Sequence, residues 1–213
     1  MTLRERKKER TRDSIIQAAT ELFDQHGFDG TTIEAIAAAA DVSRRTFFRY
    51  FATKEMVMFP HQSVYQTQFR ELLLDGDPNE MPMAMVRRAC LEMARAYMAS
   101  REDHLRQQRI IQRSRTLIAR GNELDTDWED TIAEALIVRM GGGHLAEARA
   151  RYIAGAAMGI IRVTLQQWYA SDCQSDLVEM GQEAMELLAN GVNSYLTNDA
   201  TVSPVAAKRA SAK

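Results

Sequence analysis

The sequence has few of the residues that interrupt helices or build covalent and metal sites. Four prolines, eleven glycines, two cysteines and four histidines are spread over 213 residues. So little Pro and Gly, beside abundant Ala, Leu, Met, Arg and Glu, favours helices joined by short turns. The composition therefore predicts an all-α fold.

Cysteine and histidine are also too scattered for a catalytic or metal site. Cys90 and Cys173 have no CxxC partner, and the histidines fall on separate helical segments. A G-x-S-x-G motif and a P-loop are both missing from the sequence. We expect free buried thiols in a reducing cytosol, no metal, no cofactor and no enzymatic activity.

Long hydrophobic runs are missing as well. The most apolar stretch, 152–169, contains Arg162 and two glutamines and is shorter than the roughly 20 residues of a membrane span. The N-terminus is charged but has no apolar segment after it, unlike a secretory signal. The sequence thus indicates a cytoplasmic protein without a membrane partner.

Charge is distributed unevenly although the net charge is only -2. Residues 1–54 have a net charge of +2, residues 55–213 have -4, and residues 1–12 alone contain six basic and two acidic side chains. A surface that binds nucleic acid is therefore expected near the N-terminus.

Helical signals at the N-terminus follow one another closely. Apolar residues at helical spacing predict a first helix over 10–26, which Gly27 ends. Thr32 then caps a short second helix, and Ser43 caps a third helix over 44–51. Two short helices joined by a tight turn are the signature of a helix-turn-helix.

The segment 32–55 reads TIEAIAAAADVSRRTFFRYFATKE. A Thr-capped helix, a Val-Ser turn, a T-x-x-x-Y-F helix and a Thr-Lys-Glu follow in that order, and the segment resembles the DNA-binding domain of the TetR family of repressors. The resemblance covers about fifty residues in detail. Phe48 stands where that family often has Tyr, Arg49 where it often has His, and Asp41 at a turn position often held by Gly.

The outward side chains of the third helix are the candidates for DNA recognition. We expect Arg44, Arg45 or Arg49 to donate two hydrogen bonds to guanine, and Thr32 and Lys54 to contact phosphates. The full predicted set is Thr32, Ser43, Arg44, Arg45, Thr46, Phe48, Arg49, Tyr50 (a further phosphate contact) and Lys54. The arm 4–12 has two interpretations: attraction to phosphates or the minor groove, or an ordinary charged tail.

The rest of the chain reads as six longer helices, which brings the total to about nine. Residues 1–53 are assigned to the DNA-binding domain and 54–197 to a larger ligand-binding and dimerisation domain. Residues 198–213 lack an apolar face, which predicts a disordered tail. The six predicted helices cover 54–75, 82–100, 103–120, 125–141, 144–171 and 175–197.

The last two helices are the candidates for dimerisation. The helix 144–171 is apolar nearly all round in its middle, where Gly155 and Gly159 permit a close approach. Resemblance to the family implies that these two helices pair with their twofold mates in a four-helix interface; packing within one subunit is the alternative. The last helix offers Leu177, Met180, Ala184, Leu188, Gly191 and Tyr195 as its face.

The middle helices contain residues suited to an apolar ligand pocket. Tyr97, Ile111, Trp128 and Ile132 are the candidate ligand-binding residues, with core packing as the alternative. The candidate effector is an apolar or acyl-CoA-like molecule. Five arginines in the predicted helix 103–120 are suited to attract a phosphate or carboxylate group, such as that of an acyl-CoA; an ordinary solvated surface is the alternative for them. These arginines are Arg106, Arg109, Arg113, Arg115 and Arg120.

Together these features predict a transcription regulator. We expect a bacterial homodimer that binds a palindromic operator, associates with the nucleoid through DNA, and acts as a repressor released by a small molecule. A structural helical dimer or adaptor is the alternative function. Such a protein has no need for Arg44, Arg45 and Arg49 on one face, which favours the regulator.

Overall fold

The computed structural model describes residues 2–77 and 79–191, and these residues form nine α-helices and no strand. The predicted all-α fold is therefore confirmed for the described part of the chain. The predicted tail 198–213 and Tyr195 lie outside the described residues. The helices are α1 (Leu3–His26), α2 (Ile33–Ala39), α3 (Arg44–Tyr50), α4 (Gln62–Leu74), α5 (Pro82–Ala99), α6 (Arg101–Ile111), α7 (Arg115–Arg139), α8 (His144–Ala170) and α9 (Leu177–Asn190), with a short 3-10 helix (Glu55–Met58) before α4.

The helix-turn-helix forms where its capping residues predict it. The hydroxyl of Thr32 accepts a hydrogen bond from the Ala35 amide at 3.1 Å, and that of Ser43 accepts one from the Thr46 amide at 3.0 Å. Each bond satisfies an amide that a helix N-terminus leaves unpaired. Asp41 takes a left-handed φ of 53° in the turn between α2 and α3. Both predicted caps and the predicted turn are confirmed.

The N-terminal helices surround a hydrophobic cluster, here called the DNA-binding core. Ile15, Ile36 and Phe47 are fully buried in it and fix α3 against α1 and α2. The cluster also includes Val57 and Met58 of the 3-10 helix, beyond the predicted domain limit at residue 53. Two further members, Ile110 at the end of α6 and Leu117 at the start of α7, come from the C-terminal part of the chain.

The C-terminal helices pack around a second cluster built by α4, α5, α7 and α8, with Leu73, Val86, Ile132 and Leu136 fully buried. A third, smaller cluster around Trp168 fixes the corner between α8 and α9, where the Trp168 indole N–H donates to the Ser175 carbonyl at 3.0 Å. None of the helices in 2–77 and 79–191 combines the length and hydropathy needed to cross a lipid bilayer.

Several predicted helix limits are wrong. α6 ends at Ile111 rather than at 120, because the hydroxyl of Ser114 caps a new helix by accepting a 3.5 Å hydrogen bond from the Leu117 amide. The predicted break at Gly121 does not occur, because α7 continues through this glycine. A Cβ at this position would meet no atom within 4 Å, so packing does not require a glycine here. The predicted helix 54–75 is interrupted between the 3-10 helix and α4.

α1 begins at Leu3, seven residues earlier than predicted. Thr2 and Glu5 form a capping box: the Glu5 amide donates to the Thr2 hydroxyl at 3.2 Å, and the Thr2 amide donates to the Glu5 carboxylate at 2.6 Å. The basic arm is therefore part of a helix.

Candidate DNA interface and ligand cavity

The outer face of α3 presents three arginines to solvent. Phe47 points inward and is fully buried, which orients the helix, and Arg44, Arg45 and Arg49 are all exposed. A helix of this diameter fits the major groove of DNA, where a guanidinium can pair with guanine O6 and N7. Phe48 is 41% exposed beside them, as predicted from its place on the outer face.

The three arginines differ in their contacts. Arg44 forms an ion pair with Glu34 of α2 at 3.1 Å and lies over the ring of Phe48. Arg49 lies over the ring of Tyr50. For Arg45, no hydrogen bond or ion pair is made with any described residue, so its guanidinium is the one most available to bind DNA.

Lys54 has a different environment from the predicted one. Its ammonium donates to the carbonyl oxygens of Phe28 and Thr31, at 2.8 Å each, and lies 4.1 Å from the centre of the Phe28 ring. Two of its three N–H bonds are thus used to join the α1–α2 turn to the segment after α3. This geometry indicates a positioning role for Lys54, and the predicted phosphate contact stays a prediction.

A cavity of about 150 Å³ lies between α4, α5, α7, α8 and α9. Its wall includes Tyr97 and Trp128, two of the four predicted ligand residues. Ile111 instead packs against the DNA-binding core, and Ile132 is fully buried in the second cluster, so neither lines the cavity. The other lining residues are Phe69, Cys90, Met93, Ala94, Asp125, Met158, Ile160, Ile161, Arg162, Thr164, Leu165, Leu177, Gly181 and Met185.

The cavity is mainly apolar but has unpaired polar groups on its wall. Burial raises the pKa of the Tyr97 hydroxyl to about 12 and that of the Cys90 thiol to about 12, so both are neutral. Burial also raises the pKa of Asp125, while the Arg162 charge partly opposes this rise. Among the described residues, none forms a hydrogen bond with the side chains of Tyr97, Asp125 or Arg162.

α6 connects this cavity to the DNA-binding core. The imidazole of His104 stacks on the ring of Tyr97, with 4.1 Å between centroids and 7° between planes. Two turns further along α6, Ile110 is buried in the DNA-binding core, and between them the Gln107 amide donates to the Met58 carbonyl. One rigid helix therefore contacts both parts of the molecule. Sequence reasoning missed His104, since a single buried histidine has no signal of its own.

None of the five arginines in the predicted helix 103–120 lines the cavity. Arg109 pairs with Asp172 at 2.9 Å, Arg113 with Asp24 at 3.8 Å and Arg120 with Glu123 at 2.7 Å, all on the exposed surface. The geometry therefore favours the solvated-surface interpretation of this arginine group.

The middle of α8 has an apolar face that no residue in 2–77 or 79–191 covers. Tyr152 is 79% exposed and Val163 is 45% exposed, and a Cβ at Gly159 would meet no atom within 4 Å. Ala156 is exposed between them. These residues recur every three or four positions and thus share one side of the helix. Gly155 faces inward instead, where its Cβ would meet Glu129 of α7 at 3.4 Å.

α9 uses its predicted dimerisation face within the subunit. Leu177 lines the cavity, Met180 packs against the Trp168 cluster, and Leu188 packs against the second cluster. These three residues therefore pack within one subunit, which is the alternative that the sequence left open.

A capped recognition helix joined to a helical domain with an apolar cavity defines a ligand-responsive helix-turn-helix transcription regulator. Residues 15–59 match the family model of bacterial regulatory proteins of the tetR family, and residues 80–193 match the model of the MftR C-terminal domain. The chain belongs to the TetR family of transcriptional regulators, and it is not an enzyme. The predicted family and function class are confirmed.

Two curated relatives cover most of the chain. The HTH-type transcriptional regulator TcmR of Streptomyces glaucescens is 33% identical over 173 residues, which are 78% of this chain and 76% of that protein. The transcriptional regulator MftR of Mycobacterium tuberculosis is 26% identical over 188 residues, 88% of this chain and 94% of that protein.

A solved structure has the same fold. The TetR-family repressor FadR of Thermus thermophilus, in complex with lauroyl-CoA, is 28% identical with a TM-score of 0.53, and the match covers 84% of this chain and 94% of that one. Regulators of this family bind operator DNA and dimerise, and this relative binds an acyl-CoA.

Proposed function

We propose that this chain is a homodimeric repressor that leaves a palindromic operator when a small molecule occupies the cavity. Residues 1–53 are the proposed DNA-binding domain and 54–197 the proposed effector-binding and dimerisation domain. The observation that carries the proposal is the position of α6, because this helix contacts the cavity wall through His104 and the DNA-binding core through Ile110.

In the proposed complex, α3 of each subunit enters the major groove. The exposed guanidinium groups of Arg44, Arg45 and Arg49 read bases there. Thr32 and Tyr50 contact phosphates, while Lys54 holds the domain together. Twofold helix-turn-helix dimers place their recognition helices roughly 34 Å apart, one turn of DNA, and this spacing makes the operator a palindrome.

The effector acts by displacing Tyr97. A ligand that enters the cavity pushes on this ring, and the stacked His104 transmits the movement to α6. Because Ile110 and Gln107 fix α6 to the DNA-binding domain, the domain turns with it and the two recognition helices lose their spacing. Linkage requires DNA to weaken effector binding by the same factor, typically about 5- to 150-fold.

The proposed effector is a compact, largely apolar molecule. A cavity of about 150 Å³ suits a ligand near the size of one aromatic ring. The free polar groups of Tyr97, Asp125 and Arg162 supply hydrogen bonds for a polar substituent. An acyl-CoA is the second candidate, supported by the lauroyl-CoA complex of the relative that is 28% identical; an acyl chain needs a larger cavity than the present one.

Dimerisation is proposed to occur through α8 and α9. The exposed apolar side of α8, with Tyr152, Ala156, Gly159 and Val163, supports this assignment because apolar faces of this length are normally covered. α9 packs along α8 and adds the edge of the interface. We expect α8 to cross its twofold mate at Gly159.

A cavity-filling variant tests the effector site. Ala94 lines the cavity, so Ala94→Phe is expected to leave operator binding intact and to abolish release by compounds that release the wild-type protein. Ala99→Phe, at an exposed position near the end of the same helix, is the control and should respond normally. Full release of the Ala94→Phe protein would show that the effector binds elsewhere.

A further inference from the structure

The first turns of α1 extend beyond the body of the DNA-binding domain. α1 is 24 residues long, but its buried residues begin only at Ile15, and every residue from Thr2 to Arg10 is exposed. The capping box between Thr2 and Glu5 closes the free end of the helix. A rigid projecting helix, rather than a loose tail, thus begins the chain.

The projecting part presents basic residues on the side that is apolar further along the helix. Eleven residues make about three turns of an α-helix, so positions eleven apart lie on the same face. Three exposed basic residues lie eleven positions before three buried residues of the DNA-binding core. These basic residues are Arg4, Lys7 and Lys8, here called the basic face. The three buried residues are Ile15, Ala18 and Ala19.

Acidic residues are kept to another side of the same helix. Glu5, Glu9 and Asp13 recur every four residues and so form one stripe, separate from the basic face. Glu5 is already engaged in the capping box. The side chains of Arg4, Lys7 and Lys8 form no ion pair or hydrogen bond within 2–77 and 79–191. No residue in the described ranges neutralises the basic face, so its three charges are available to an anionic partner.

The projecting helix is fixed close to the end of the recognition helix. Arg12 donates to the Pro60 carbonyl, and its guanidinium lies 5.6 Å from the centre of the ring of Phe51. Phe51 is the residue that ends α3. The basic face thus lies on a helix that contacts the end of the recognition helix.

We propose that Arg4, Lys7 and Lys8 bind the DNA phosphate backbone on the flank of each operator half-site. The inference rests on the proposed function and deepens it. Residues 3–11 span about 13 Å, the length of about four base-pair steps along one strand. The contact is electrostatic and sequence-independent, so it raises affinity for operator and non-operator DNA alike.

The salt dependence of DNA binding tests this proposal. Each phosphate contact contributes about 0.9 to the slope of log affinity against log salt. The variant Arg4→Gln, Lys7→Gln, Lys8→Gln preserves helix propensity, and its slope should be shallower than that of the wild type by up to about 2.7 per subunit. The probe is a long mixed-sequence duplex, followed by fluorescence anisotropy over a salt series.

A charge-matched variant of the C-terminal domain controls for net charge. Arg87→Gln, Arg95→Gln, Arg106→Gln removes three exposed positive charges from α5 and α6 and should leave the slope at the wild-type value. If the α1 variant also keeps the wild-type slope, the phosphate contact is overturned while the proposed function stands. If the wild-type protein binds neither this duplex nor a selected operator, both proposals fall.

Discussion

The ring of Tyr97 lies parallel to the imidazole of His104, with 4.1 Å between their centroids. Tyr97 belongs to the wall of the cavity, and His104 belongs to the helix that reaches the DNA-binding core. The contact therefore joins the proposed effector site to the helix that packs in the DNA-binding core. His104 is 8% exposed, and its Nε2 atom has no hydrogen-bond partner among the described residues.

The burial of His104 makes stability depend on pH. Desolvation lowers the pKa of His104 from 6.5 to about 4. Between these two pH values the imidazole is protonated in the unfolded chain and neutral in the folded protein. The free energy of unfolding is therefore highest above pH 6.5 with respect to this group. It decreases by on the order of 3 kcal/mol as the pH falls toward 4. Urea denaturation at a series of pH values measures it.

His104→Phe keeps a ring against Tyr97 and removes the titrating group, so its free energy of unfolding should fall less between pH 6.5 and 4 than that of the wild type. His144→Gln, which changes a fully exposed histidine, should follow the wild-type curve. If the free energy of unfolding falls equally in the wild type and in His104→Phe over this pH range, His104 is not the group responsible for the pH dependence.

Arg45 is expected to read a base. Arg45→Ala should weaken operator binding by about 1–3 kcal/mol, or about 5- to 150-fold, because a guanidinium that contacts guanine is lost. The dimer should remain intact, as analytical ultracentrifugation will show. Arg87→Ala, an exposed arginine on α5, is the control. Wild-type affinity and wild-type base preference in Arg45→Ala would remove this residue from the interface.

Lys54 is expected to act on stability rather than on phosphate binding. Lys54→Gln removes the charged donor to two carbonyls and should lower the free energy of unfolding by about 2 kcal/mol. The slope of DNA affinity against salt should stay the same for the folded variant. A slope reduced by about 0.9 with unchanged stability would restore the phosphate contact predicted from the sequence.

Gly159 is expected to lie where two copies of α8 cross. Gly159→Leu adds a bulky side chain to an open face and should shift the sedimentation profile toward monomer. Since a Cβ at this position meets no atom of the described residues within 4 Å, thermal stability of the monomer should hardly change. Ala119→Leu, at an exposed site on α7, should remain dimeric. An unaltered profile for Gly159→Leu would place the interface elsewhere.

The DNA-binding domain could be predicted almost completely from the sequence, because local chemistry determines it. Thr32 and Ser43 each satisfy an amide of their own helix, and Asp41 tolerates the left-handed turn. Such signals need no knowledge of distant contacts. Gly121 misled the prediction because a single glycine within a long helix costs only about 1 kcal/mol, which the packing of α7 outweighs.

The cavity could be predicted only in part, because tertiary packing determines it. Tyr97 and Trp128 line the cavity, whereas Ile132 lies in the same helix as Trp128 but faces the core. Periodicity distinguishes the buried side of a helix from the exposed side but does not distinguish a cavity wall from filled core. The carbonyl partners of Lys54 were missed for the same reason, since they lie more than 20 residues away in the chain.

Selection from random-sequence DNA with the purified protein at two salt concentrations tests the central claim most directly. The account predicts a palindromic consensus whose half-sites lie about one helical turn apart, with enrichment at both salt concentrations and tighter overall binding at the lower one. A lack of enrichment at either concentration would contradict sequence-specific operator binding and favour a helical dimer with a structural or adaptor role.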